Sequence, residues 1–189
     1  MPTIYLVRHG KAAAGFGSHP DPGLNELGQA QAQATARTLA ELARPGSGQA
    51  PLPIYSSPLA RAQQTAQPLC KLWNCDYTIE PRVAEIPSPT EDLSQRSAWL
   101  QGIMAGTWDA LDTSLQQWRT NLAQCLLDLK ESSVLFSHYV AINAAVGVAQ
   151  SDNRMVVFRP DNASVTTLSN DNGKLRVLEL GGEAVTFVN

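Results

Sequence analysis

The chain is poor in the features that mark several large protein classes. Its three cysteines, Cys70, Cys75 and Cys125, are an odd set without CxxC spacing, which argues against both a disulfide framework and a zinc site. They are expected to be reduced, partly buried thiols of a cytoplasmic protein. No apolar run approaches the roughly 18 residues of a membrane span. The N-terminus enters a strand at once, without the charged-then-apolar pattern of a secretory signal. A formal net charge of −3 leaves no basic footprint for nucleic acid or an anionic membrane. No repeat, linker or low-complexity tail interrupts the pattern. What remains is 189 residues with 43% hydrophobic and 16% charged, which suits one soluble domain with a full core and room for an insertion.

Ile4 to Val7 is a short β-prone run that reads as a strand buried on both faces, and it stops at Arg8-His9-Gly10. Ala12 to Gly23 is a surface loop, in which His19 is expected to be solvated. Asn25 can cap a helix running to about Ala43, which Arg44-Pro45-Gly46-Ser47-Gly48 ends. Pro53 to Ser57 predicts a second strand, with Ser57 as N-cap of the next helix, Pro58 as its first residue and Arg61 in its first turn. Pro68 should bend or fray that helix. Asp76 to Glu80 reads as a third strand. Pro81 to about Trp108 is irregular, with a helix around Trp99, and reads as an insertion or lid over one edge of a single domain spanning 1–189. Asp109 to Leu129 carries a helical apolar stripe. Val134 to Phe136 is a fourth strand that runs through Ser137-His138-Tyr139 into a helix. Ala163 to Leu168 and Lys174 to Leu180 form a β pair about the turn Asn170-Asp171-Asn172-Gly173. This alternation predicts an α/β fold, a three-layer α/β/α sandwich with a largely parallel sheet of about six strands.

Three strand ends carry similar cargo: Arg8-His9, Ser56-Ser57 with Arg61, and Ser137-His138. Parallel strands place their carboxyl ends on one side, where open α/β sheets bind ligands. Two of these ends open helices, whose free N–H groups favour an anion. Two arginines and two histidines around one point suit a compact dianion such as phosphate, which a guanidinium meets with paired hydrogen bonds.

Leu6-Val7-Arg8-His9-Gly10, Leu24-Asn25-Glu26-Leu27-Gly28-Gln29-Ala30, Tyr55-Ser56-Ser57-Pro58-Leu59-Ala60-Arg61-Ala62-Gln63-Gln64-Thr65-Ala66 and Val134-Leu135-Phe136-Ser137-His138 together resemble, in order, the histidine phosphatase (phosphoglycerate mutase-like) superfamily. The resemblance implies His9 as the nucleophile, with Arg8, Arg61 and His138 holding the three non-bridging phosphate oxygens. Glu85 lies where the family carries its proton donor, although on its own it would pass for a solvated loop carboxylate. Neither metal nor other cofactor is implied, because the arginines and histidines neutralise the charge. Tyr139 stands where the family usually has glycine; its ring would crowd the pocket, stack on substrate, or face outward without a role.

Between Ile86 and Trp108 the one basic residue is Arg96, set against Glu91 and Asp92. Trp99, Leu100, Ile103, Met104 and Trp108 offer an apolar wall, with Trp99 and Tyr139 as candidate substrate contacts. This favours a small phosphomonoester with a neutral or moderately apolar leaving group over a mutase substrate, which needs more cations at its far end. The leading expectation is a metal-independent phosphomonoester hydrolase working through phosphohistidine, with inorganic phosphate as product. Three alternatives stay open: a phosphoglycerate mutase, a protein phosphohistidine phosphatase, and a phosphate-ligand sensor that lost turnover. The amphipathic helices could also supply a homodimer face.

Overall fold

The computed structural model describes residues 1–43 and 50–184. The elements run β1 (Thr3–Arg8), α1 (Glu26–Leu42), β2 (Ile54–Ser56), α2 (Ala60–Trp73), β3 (Tyr77–Ile79), α3 (Leu93–Met104), α4 (Thr113–Asp128), β4 (Ser133–Ser137), α5 (Tyr139–Gln150), β5 (Val165–Asp171) and β6 (Lys174–Glu179). The helix stop expected at Arg44-Pro45-Gly46-Ser47-Gly48 lies outside the described residues.

The six strands are ordered β3-β2-β4-β1-β5-β6. The first four are mutually parallel, and β5 and β6 close one edge antiparallel. β1 and β4 are therefore central, and their register sets Arg8 beside Ser137. Alternation along these strands splits the core in two. Ile4, Leu6 and Leu135 pack with α4 and α5, whereas Val7, Ile54, Val134 and Phe136 pack with residues of α1 and α2. Side chains of one strand point alternately to opposite faces, so the sheet is covered on both sides and the sandwich has three layers.

Local chemistry explains where elements start. Asn25 caps α1 by accepting from the Gly28 N–H at 2.8 Å, as its position predicts. Ser57 does not cap α2, which begins at Ala60 instead. Its first N–H is taken by the Asp21 carboxylate, at 2.9 and 3.1 Å, from a loop almost forty residues upstream. Pro68 does not end α2, which runs on to Trp73. Buried Ala66 before it and Leu69 and Cys70 after it pack in one cluster under the sheet and hold the last turn helical. The long stripe after Asp109 is broken into a 3-10 turn at Trp108–Ala110 and α4, because the Asp112 carboxylate accepts from Ser114 and Leu115 and starts a new helix. The β5–β6 turn places Asn172 and Gly173 at φ 54° and 82°, the left-handed pair that a two-residue hairpin requires.

One close approach of backbones positions the site. A Cβ on Gly10 would lie 2.5 Å from the Gly28 carbonyl oxygen, and a Cβ on Gly28 would collide with the Lys11 carbonyl. The chain leaving β1 is thus pressed against the first turn of α1. Glycine to alanine inside a helix ordinarily stabilises by up to about 1 kcal/mol. Gly28→Ala should invert that sign and cost about 2 kcal/mol or more, since backbone must give way; urea denaturation measures it.

Candidate active site

The carboxyl ends of β1 and β4 and the start of α2 open into a cavity of about 510 Å³, whose lining includes Arg8, His9, Arg61, Glu85 and Tyr139. The His9 ring is fixed from both sides. Its Nδ1 lies 2.7 Å from the carbonyl oxygen of Gly10, which can only accept, so Nδ1 carries the proton. Nε2 is left with its lone pair, and the Arg61 Nε–H donates to it at 3.2 Å. The backbone behind is braced as well: the His9 N–H donates to Ser137 O at 3.0 Å, and its carbonyl accepts from Ala163 N and Asn162 Nδ2, each at 3.2 Å.

Arg8 and Arg61 are almost wholly buried, at 7% exposure each. Arg8 donates to the Pro160 carbonyl at 2.8 Å and lies 5.1 Å from the centre of the Tyr139 ring. Arg61 is met by Asp21 at 3.8 Å. Thr65 ties the turn after β1 to the first turn of α2, accepting from the Gly10 N–H at 3.0 Å and donating to the Arg61 carbonyl at 2.6 Å. His138 is fully buried beside His9, with ring centroids 5.1 Å apart and Nε2 2.7 Å from Ser57 Oγ. It does not line the cavity wall. Arg8 Nε and His138 Nδ1 are both buried without a hydrogen-bond partner among the described residues.

Glu85 sits at the N-terminus of α5, where its carboxylate accepts from the N–H groups of Val140 and Ala141, each at 3.2 Å, and from Ile86 at 3.0 Å. Ser137 Oγ donates to Val83 O at 2.7 Å and so holds the segment that carries Glu85 against β4. Glu85 is therefore no solvated loop carboxylate. Burial pushes its pKa above the usual 4.5, although the three N–H donors and Arg61 pull the other way. Burial, Arg61 and Arg8 hold His9 well below 6.5, and burial with Arg61, His9 and Arg8 does the same to His138. At neutral pH both imidazoles are uncharged.

Sequence reasoning missed Asp21, Thr65 and the 160–162 turn, and of the five residues expected to form the apolar wall it misplaced three. Leu100 and Met104 reach the cavity, whereas Trp99 and Ile103 pack half-buried against the core and Trp108 is buried within it. His19 is exposed, as expected, at the cavity rim, where its Nδ1 accepts from the Asp21 N–H at 3.1 Å. Tyr139 does not face outward: it is 6% exposed, with its ring against the Arg8 guanidinium. No helix among the described residues is long and apolar enough to cross a membrane.

Two expected outcomes follow from this geometry. Tyr139→Phe, which keeps the ring over Arg8, should leave stability and turnover within about threefold, whereas Tyr139→Gly should cost about 4 kcal/mol through cavity and helix penalties together. Thermal melts and kcat/KM on one substrate check both. The buried imidazoles set a pH dependence of stability. Their folded pKa values lie below the unfolded value of about 6.5, so the unfolded chain binds more protons as pH falls. Stability is then full above about pH 6.5 and is lost below it. Urea denaturation between pH 7.5 and 5.5 should show that loss, and His9→Ala should make it smaller.

Comparison with known proteins identifies the family. The family model of the histidine phosphatase superfamily (branch 1) matches residues 4–182. A protein of Photorhabdus laumondii described as "Probable phosphoglycerate mutase GpmB" is 26% identical over 166 residues, covering 78% of this chain and 74% of that one. A metal-independent phosphoserine phosphatase of Arabidopsis thaliana is 37% identical over 105 residues, 53% of this chain and 38% of its own length. Among solved structures, a phosphoserine phosphatase of Entamoeba histolytica in complex with phosphoserine shares the fold, with a TM-score of 0.71 and 23% identity over 96% of this chain and 98% of that one. The match runs from β1 past β6 and takes in all five residues of the cluster, and the chain belongs to the histidine phosphatase superfamily.

Proposed function

We propose that the chain hydrolyses a small phosphomonoester through a phosphohistidine at His9. The observation that supports this best is the state of that ring: neutral, with Nδ1 committed to a carbonyl and Nε2 directed at Arg61 on a cavity wall. Arriving phosphate takes the Arg61 N–H for its own oxygens and frees the Nε2 lone pair. Nε2 then attacks phosphorus in line, a P–N bond forms, and the P–O bond to the leaving group breaks. Glu85, protonated more readily than an ordinary carboxylate, gives its proton to the departing oxygen. A water molecule next attacks phosphorus, Glu85 takes its proton, and the P–N bond returns its electrons to Nε2. Arg8 and Arg61 balance the charge on the equatorial oxygens, with the His138 ring backing His9.

Acid-quenched trapping tests the scheme. Wild type mixed with a labelled phosphomonoester, with chelator present, should carry acid-labile, alkali-stable label, and His9→Ala should carry none. Glu85→Gln should lower kcat at least a hundredfold on an alkyl phosphate but less than about fivefold on p-nitrophenyl phosphate, whose leaving group needs little proton. Equal losses on both would remove the acid role from Glu85. Transfer of label from the protein to a phosphoglycerate instead of water would favour a mutase, the activity named for the Photorhabdus relative.

A further inference from the structure

We propose that Cys70 and Cys75 form a reversible oxidation site at the C-terminal end of α2, which a low-molecular-weight disulfide converts to an intramolecular disulfide. The site stands apart from the cavity, which neither cysteine lines.

In sequence the two are separated by Lys71-Leu72-Trp73-Asn74, a spacing that matches no redox motif and would set them on different faces of a continued helix. The helix does not continue. Asn74 takes the left-handed conformation, at φ 51° and ψ 51°. Across it the Cys75 N–H donates to the Cys70 carbonyl at 3.1 Å and the Asn74 N–H to the Lys71 carbonyl at 3.4 Å. These two bonds about a left-handed residue make a Schellman ending, which folds the residue after the turn back onto the last turn of the helix. Here both of the positions so brought together are cysteine. Their thiols are linked by a side-chain hydrogen bond, and both residues pack in the cluster between α2 and one face of the sheet. Cys125 belongs to the cluster on the opposite face.

The two thiols are unequal. Cys70 is 8% exposed, whereas Cys75 is half-buried and open to solvent. Burial, then Cys75 and Asp76, push the Cys70 thiol up to about 11. Burial and Asp76 also raise Cys75, but the hydrogen bond from Cys70 pulls it the other way, so Cys75 ionises first. The Cys75 thiolate attacks one sulfur of the small disulfide, forming a mixed disulfide and expelling a thiolate that takes up the proton Cys75 lost. Cys70 gives up its proton and attacks the Cys75 sulfur, which closes the protein disulfide and releases the second small thiol. Two cysteine thiols are thereby oxidised, and one small disulfide is reduced to two thiols. Strongly oxidising pairs are those whose reduced form is stabilised as thiolate; with both acidities shifted the other way, the closed form is favoured. The new bond staples the last turn of the helix whose first turn carries Arg61.

Oxidised glutathione is the probe. The folded chain incubated with it should lose two of its three free thiols and fall in mass by two hydrogens, with Cys125 still free. A tryptic map should then join the peptides on either side of Lys71. Cys70→Ser should stop at one glutathione held on Cys75, and Cys75→Ser should react about tenfold more slowly or less, because Cys70 is buried. Oxidation should raise Tm by about 4 °C, since it closes a short loop between groups that the fold already holds together, and dithiothreitol should restore the reduced value. Glutathione that stays on Cys75 in the wild type, a linkage to Cys125 or between two chains, or a disulfide that forms only in urea would overturn the proposal. So would a fall in Tm on oxidation, because the bond would then be pulling the helix end out of place.

Discussion

Two guanidinium groups and two imidazoles, each less than a tenth exposed, are gathered at one end of the sheet beside the half-buried carboxylate of Glu85. Such a concentration of like charge is tolerable only because both imidazoles stay neutral and each guanidinium is handed an oxygen or a ring: Pro160 and Tyr139 for Arg8, Asp21 for Arg61. The rest of the molecule serves that arrangement. Central parallel strands bring Arg8 and Ser137 into register, and the antiparallel β5 follows a turn whose backbone braces His9. The cost of gathering these cations without an anion is a standing preference for binding one, which is what a phosphomonoesterase needs of its ground state.

Neutrality of His9 has a kinetic meaning as well. An ordinary surface imidazole would be partly protonated, and hence non-nucleophilic, near pH 6.5. Here burial first, and then the charges of Arg61 and Arg8, keep a second proton off the ring. Glu85 is displaced in the opposite direction by burial. The two shifts run in opposite directions, a base made weaker and an acid made weaker, so the imidazole is free of a proton at neutral pH while the carboxyl holds one more readily than usual.

The fold was legible in the chain because its signals are local. The β-prone run of β1, the Asn25 cap and the Asn172-Gly173 turn each act within a few residues of themselves. Arg8, His9, Arg61 and His138 were legible for a different reason: they ride on motifs that resemble a known superfamily, whereas Glu85 was named only from the position the family gives its proton donor in otherwise irregular sequence. Asp21 was not, because it lies in a loop with no periodicity and its partners are thirty-nine and forty residues away. For the same reason the start of α2 was misread at Ser57, whose hydroxyl is spent on His138. On α3 the error was one of phase. Adjacent helical residues point about 100° apart, so which of Trp99 and Leu100 meets the cavity depends on how α3 docks, including its close approach to Gly17, and not on local sequence.

The 12–23 loop touches nearly everything that matters. It supplies Phe16 to the wall, Gly17 to the seam with α3, and Asp21 to both the start of α2 and the guanidinium of Arg61. Variation among relatives in such a loop would ordinarily be read as free tuning of substrate choice. In this chain it is not separable from the chemistry. A loop transplanted from another enzyme would carry a new recognition surface but would also reset where α2 begins and where Arg61 points. New specificities are therefore reached more easily through α3, whose cavity-facing residues Leu100 and Met104 can change one at a time, than by exchange of the loop as a unit.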